Sequence, residues 1–60
     1  MTEKQLKVVG VKPDQDGWMI MTIEFEGKQA SYRTKNEPTE EENALIQEGV
    51  IKAKTEVGVI

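Results

Sequence analysis

The run Trp18-Met19-Ile20-Met21-Thr22-Ile23-Glu24-Phe25, then Glu26-Gly27, then Lys28-Gln29-Ala30-Ser31-Tyr32-Arg33-Thr34, decides how this chain folds. Residues 18–26 alternate with period two, the signature of a strand. Met19, Met21, Ile23 and Phe25 form one face; Trp18, Ile20, Thr22, Glu24 and Glu26 form the other. Glu26-Gly27 makes a two-residue turn into a second strand over residues 28–34, and so short a loop fixes the register. Phe25 then opposes Lys28, Ile23 opposes Ala30 and Met21 opposes Tyr32, while Glu24 meets Gln29, Thr22 meets Ser31 and Ile20 meets Arg33. A slip of one residue would set Tyr32 and Ala30 against Thr22 and Glu24. The apolar-on-apolar, polar-on-polar match therefore argues for a hairpin.

Upstream, residues 5–12 are rich in valine and predict another strand. Leu6 and Val8 differ in parity from Val9 and Val11. A bulge near Val9-Gly10 would bring Leu6, Val8 and Val11 to one face; burial on both faces is the alternative. Pro13-Asp14-Gln15-Asp16-Gly17 is a cluster of turn formers. Its Asp-x-Asp-Gly opens like a calcium loop, but Trp18-Met19-Ile20-Met21 stands where further acidic ligands are needed, so the segment reads as a turn.

Downstream, Thr39-Glu40-Glu41-Glu42 has capping-box spacing, with acidic groups at the positive end of the helix dipole. Leu45, Ile46, Gly49, Val50, Ala53 and Val57 then fall within about 140° of a helical wheel. The spacing predicts a helix over residues 39–54. The alternative ends the helix at Gly49, over residues 39–48, and continues as a fourth strand over 50–59, because Ile51, Ala53, Thr55, Val57 and Val59 alternate. The fold class is thus α+β: a three-stranded antiparallel meander with one C-terminal helix on one sheet face, in a single domain spanning residues 1–60.

The order of a strand, the Asp14-x-Asp16-Gly17-Trp18 turn, two strands and a helix capped by Thr39-Glu40-Glu41 is similar to the small antitoxins with a partial double-stranded-RNA-binding-like fold. The similarity covers residues 8–54 and is one of element order. It departs after the second strand, where those antitoxins have a Pro-Gly loop and this chain has Phe25-Glu26-Gly27-Lys28.

Composition narrows the function classes. The chain has 60 residues, no Cys and no His, and a net charge of −3 from eight basic and eleven acidic side chains. Disulfides, thiolate chemistry and histidine general bases are therefore excluded. Ser31 lacks a histidine to activate it. Glu24 and Glu26, two apart on a strand, would act as an acid–base pair only in a buried cleft. The five glycines stand singly, so no phosphate-binding loop is present. The reading is a non-enzyme with no metal or other cofactor. The polar start Met1-Thr2-Glu3-Lys4-Gln5 is unlike a secretory signal, and the longest apolar run, Trp18 to Met21, is too short for a membrane span. A cytoplasmic protein is expected.

A domain this small buries only about 60% of its unfolded surface, and leftover apolar side chains favour association. The expected function is a non-catalytic interaction module, a homodimer that binds another protein, of the accessory or regulatory type found in bacteria and phages. The expected partner surface is Trp18, Ile20 and Arg33 on the sheet face away from the helix, joined by Val57, Val59 and Ile60. The alternative is a weak nucleic-acid binder using the open sheet around Trp18, Arg33 and Lys35, opposed by the negative net charge.

Overall fold

The computed structural model describes residues 5–60. Strands β1 (Lys7–Pro13), β2 (Trp18–Phe25) and β3 (Lys28–Lys35) form one antiparallel sheet in the order β1-β2-β3, and helix α1 (Glu40–Val57) follows. A single 3₁₀ turn, Gln15–Gly17, links β1 to β2. The hairpin has the register derived above, from Trp18 opposite Lys35 to Phe25 opposite Lys28. β2 ends one residue earlier than expected, because Glu26 belongs to the turn. Glu26 and Gly27 take φ of 50° and 82°, the two left-handed conformations that a two-residue hairpin turn of matching twist requires.

The β1 register breaks between Val8 and Gly10, where Val9 is the extra residue of a bulge. Val8 faces Ile23 and Val11 faces Met21, so both valines lie on the inner, helix-bearing face. The same shift sets Lys7 opposite Glu24 and Lys12 opposite Ile20, on the outer face. Leu6 precedes β1 and stands outside the ladder.

The helix starts where expected. Glu42 N–H donates to Thr39 Oγ1 at 3.1 Å, and Thr39 N–H donates to Glu42 Oε1 at 2.9 Å. It does not stop at Gly49, and no fourth strand forms: α1 runs on to Val57. Gly58 then takes φ 89°, its N–H donating to the Thr55 carbonyl, and Val59 N–H donates to the Lys54 carbonyl at 2.9 Å. This closing pattern satisfies the last orphan carbonyls and needs a residue that tolerates positive φ. The alternation from Ile51 to Val59 that resembled a strand contains Ala53 and Val57 at helical spacing. As a helix they pack on the sheet, whereas Ile51 is left exposed.

The core is Ile23, Ala30, Ala53 and Val57, flanked by Phe25 and Tyr32, and Ile46 is buried nearer the helix start. Alanine on both helix and strand permits close approach. Gly49 continues it: a Cβ there would stand 3.4 Å from Tyr32 Cβ. Tyr32 Oη donates to Met21 Sδ at 3.0 Å across the hairpin. Contact between α1 and the sheet is concentrated on β3 and falls away across β2.

Three substitutions test this account by thermal or urea unfolding. Gly27→Ala lowers stability by about 1 kcal/mol or more through backbone strain alone, since nothing crowds that position. Gly10→Ala changes it by less than about 0.5 kcal/mol, because its new Cβ meets Thr22 Cβ at an ordinary 3.8 Å and its backbone needs no positive φ. Thr39→Ala costs about 1 kcal/mol by removing the cap.

Candidate functional site

The outer sheet face collects most of the chemistry. Directly paired residues share a face, so Lys7, Gly10 and Lys12 of β1, Trp18, Ile20, Thr22 and Glu24 of β2, and Gln29, Ser31, Arg33 and Lys35 of β3 all lie there. Its lower half is a polar ladder. Thr22 and Ser31 share a hydroxyl–hydroxyl bond of 2.9 Å, and Gln29 Nε2 donates to Glu24 Oε2 at 3.0 Å. Glu26 sits in the turn with φ 50°, outside the β2 ladder that carries Glu24.

At the other end Trp18 is held by cations. The Arg33 guanidinium lies 4.8 Å and the Lys35 ammonium 5.1 Å from the ring centroid, both within cation–π range. Each cation has a carboxylate as well. Arg33 Nε meets Asp14 Oδ2 at 2.9 Å, and Lys35 Nζ donates to Glu42 Oε2 at 2.8 Å. Asp14 is positioned by the turn: its N–H donates to the Trp18 carbonyl at 2.7 Å, extending the β1–β2 ladder past Pro13. One aromatic ring thus links the β1–β2 turn, the end of β3 and the start of α1.

The sequence-derived site residues separate into three groups. Trp18 and Arg33 are brought together as expected, with Ile20 beside them opposite Arg33. Trp18 and Ile20 are nevertheless partly buried. The expectation that the helix stays away from Trp18 fails: Trp18, Arg33, Leu45, Ile46 and Gly49 line one cleft of about 320 Å³. β3 is the sheet edge there, and α1 starts beside it. Val57 is a correction of a different kind. It is 1% exposed and belongs to the core, so it is withdrawn from any partner surface. Val59 and Ile60 are exposed, but they leave the helix near Ile23, about 17 Å along β2 from Trp18. They do not join the Trp18 cluster.

Lys7, Lys12, Asp14 and Glu42 were missed as members of this face. The bulge at Val9-Gly10 was legible, and with the register it places Lys7 and Lys12 together; the partners of Arg33 and Lys35 come from loop and helix geometry that periodicity does not encode. Among the described residues no cluster of three or more acidic side chains is placed to hold a metal, and no helix is long and apolar enough to cross a membrane.

The Lys35 ammonium, with the Thr39 N–H, holds the Glu42 carboxyl below its ordinary value. A carboxylate whose pKa is depressed by folding stabilises the protein above its unfolded pKa and loses that contribution as pH falls through the folded value. Glu42→Gln therefore lowers the melting temperature at neutral pH, and the gap to the unmodified protein closes below about pH 4. Parallel acid titrations followed by circular dichroism check this; a gap independent of pH contradicts it.

No family model matches the chain, and no curated protein or solved structure shows significant similarity to it.

Proposed function

We propose that the protein is a non-catalytic interaction module that self-associates and binds another protein, of the accessory or regulatory kind found in bacteria and phages, working in a cytoplasm. The carrying observation is the incomplete cover of the inner sheet face. α1 lies over β3, and Val8 and Val11 on the same face of β1 remain 58% and 51% exposed. Leaving large apolar side chains in water forgoes roughly 1.5–3 kcal/mol each, which a partner surface recovers.

This moves the proposed seam from Trp18 and Ile20 to the opposite face. Side-chain packing is favoured there over strand addition. The bulge at Val9 and Pro13 both interrupt the free edge of β1, and Lys7 and Lys12 flank it, all devices that discourage edge pairing. A non-catalytic role is supported by the chemistry of the outer face. Among the described residues Ser31 is hydrogen-bonded to Thr22 and Glu24 to Gln29, so each is engaged in a cross-strand pair.

Sedimentation of the unmodified protein from about 1 to about 200 μM is expected to show a reversible dimer, with a melting temperature that rises with concentration. Val11→Asp is expected to give a folded monomer. A unmodified protein that stays monomeric throughout overturns the self-association reading.

A further inference from the structure

The geometry points to a second interaction surface, on the opposite side from the proposed seam: the outer sheet face binds single-stranded nucleic acid. The chain is acidic overall, but its charge is segregated. Four cations, Lys7, Lys12, Arg33 and Lys35, share the outer face with Glu24, and Asp14 and Glu42 reach in from the turn and the helix to pair with Arg33 and Lys35. The remaining acidic groups among the described residues lie in the connecting turns and on α1, which carries Glu40, Glu41, Glu48 and Glu56 against Lys52 and Lys54.

The bulge creates this arrangement. Lys7 and Lys12 are five residues apart, so in an unbroken strand they would face opposite sides. Val9 shifts the parity and sets both on the face that carries Arg33 and Lys35. The basic groups then span all three strands, about 10 Å from β1 to β3.

The remaining features select the class of polyanion. The face is an open sheet with an aromatic ring at one end, fixed between β3 and the β1–β2 turn and flanked by positive charge at 4.8 and 5.1 Å. The surrounding Thr22, Ser31 and Gln29 are hydrogen-bonding groups. A sheet face offers nothing that protrudes into a duplex groove, whereas an unstacked base can pack on the accessible part of the Trp18 ring at the mouth of its cleft, with its phosphate on neighbouring cations. Lys7 and Lys12 have no ion pair among the described residues. They are the cations most available to phosphate. Arg33 and Lys35, tied to Asp14 and Glu42, position the ring and add local charge.

The test is fluorescence anisotropy with a labelled thymidine oligonucleotide of about 20 nucleotides and the full chain. Binding is expected at low salt, weakening roughly 20- to 50-fold between about 50 and 200 mM salt, as release of counterions from three or four phosphates requires. The double variant Lys7→Glu/Lys12→Glu loses binding, while Lys52→Glu/Lys54→Glu on the helix retains it. Circular dichroism of both variants confirms that they fold. Trp18 fluorescence is quenched by the unlabelled oligonucleotide. No binding at low salt up to about 200 μM protein overturns the inference. So does equal loss in both double variants, a duplex bound more tightly than the single strand, or polyglutamate bound as tightly as the oligonucleotide, which instead assigns the face to an acidic protein segment.

Discussion

A single helix cannot cover a three-stranded sheet evenly, and the molecule is organised by how this helix resolves that. Ala53 and Val57 settle onto Ile23 and Ala30, with Gly49 against Tyr32. Small side chains let the backbone approach β3 closely, and the closer the helix lies to that edge the less it shelters β1. The inner-face valines are exposed because the core closes tightly elsewhere. The Trp18 cleft has the same origin, since a helix shifted to the β3 edge brings Leu45 and Ile46 alongside residues of the outer face.

How far the sequence discloses this follows from the range of the interactions. The hairpin register was readable because a two-residue loop leaves one pairing that matches apolar with apolar. The helix start was readable because a capping box is a contact three residues long. The helix end was ambiguous. Ile51 to Val59 satisfies both periods, and only the tertiary contact of Ala53 and Val57 with β2 and β3 separates them. The site shows the same division. Arg33 beside Trp18 follows from register, but Asp14 and Glu42 as their partners depend on where a turn and a helix arrive in space. Val57 belongs by spacing both to the helix stripe and to the apolar C-terminal run with Val59 and Ile60, and only its packing on the sheet decides for the stripe, which stays buried to the final helical turn.

Charge follows architecture in a way that net charge conceals. A value of −3 sums over unlike surfaces: a helix rich in glutamate, acidic connecting turns, and a sheet face that carries Lys7, Lys12, Arg33 and Lys35. Screening confines their fields to about 8 Å at physiological ionic strength, so a molecule arriving at one face responds mainly to that face.

The bulge at Val9 lets β1 hold one more residue than its partner without turning the strand over. With Val9 outside the ladder, Lys7 lies on the outer face and Val8 on the inner one, as they would in a regular strand one residue shorter. Straightening the bulge while keeping Val9 would set Val9 opposite Ile23 and move Val8 to the outer face and Lys7 to the apolar inner face. A related chain lacking the extra residue would therefore keep the same arrangement of charge on a regular strand, whereas one that kept the residue and lost the bulge would not.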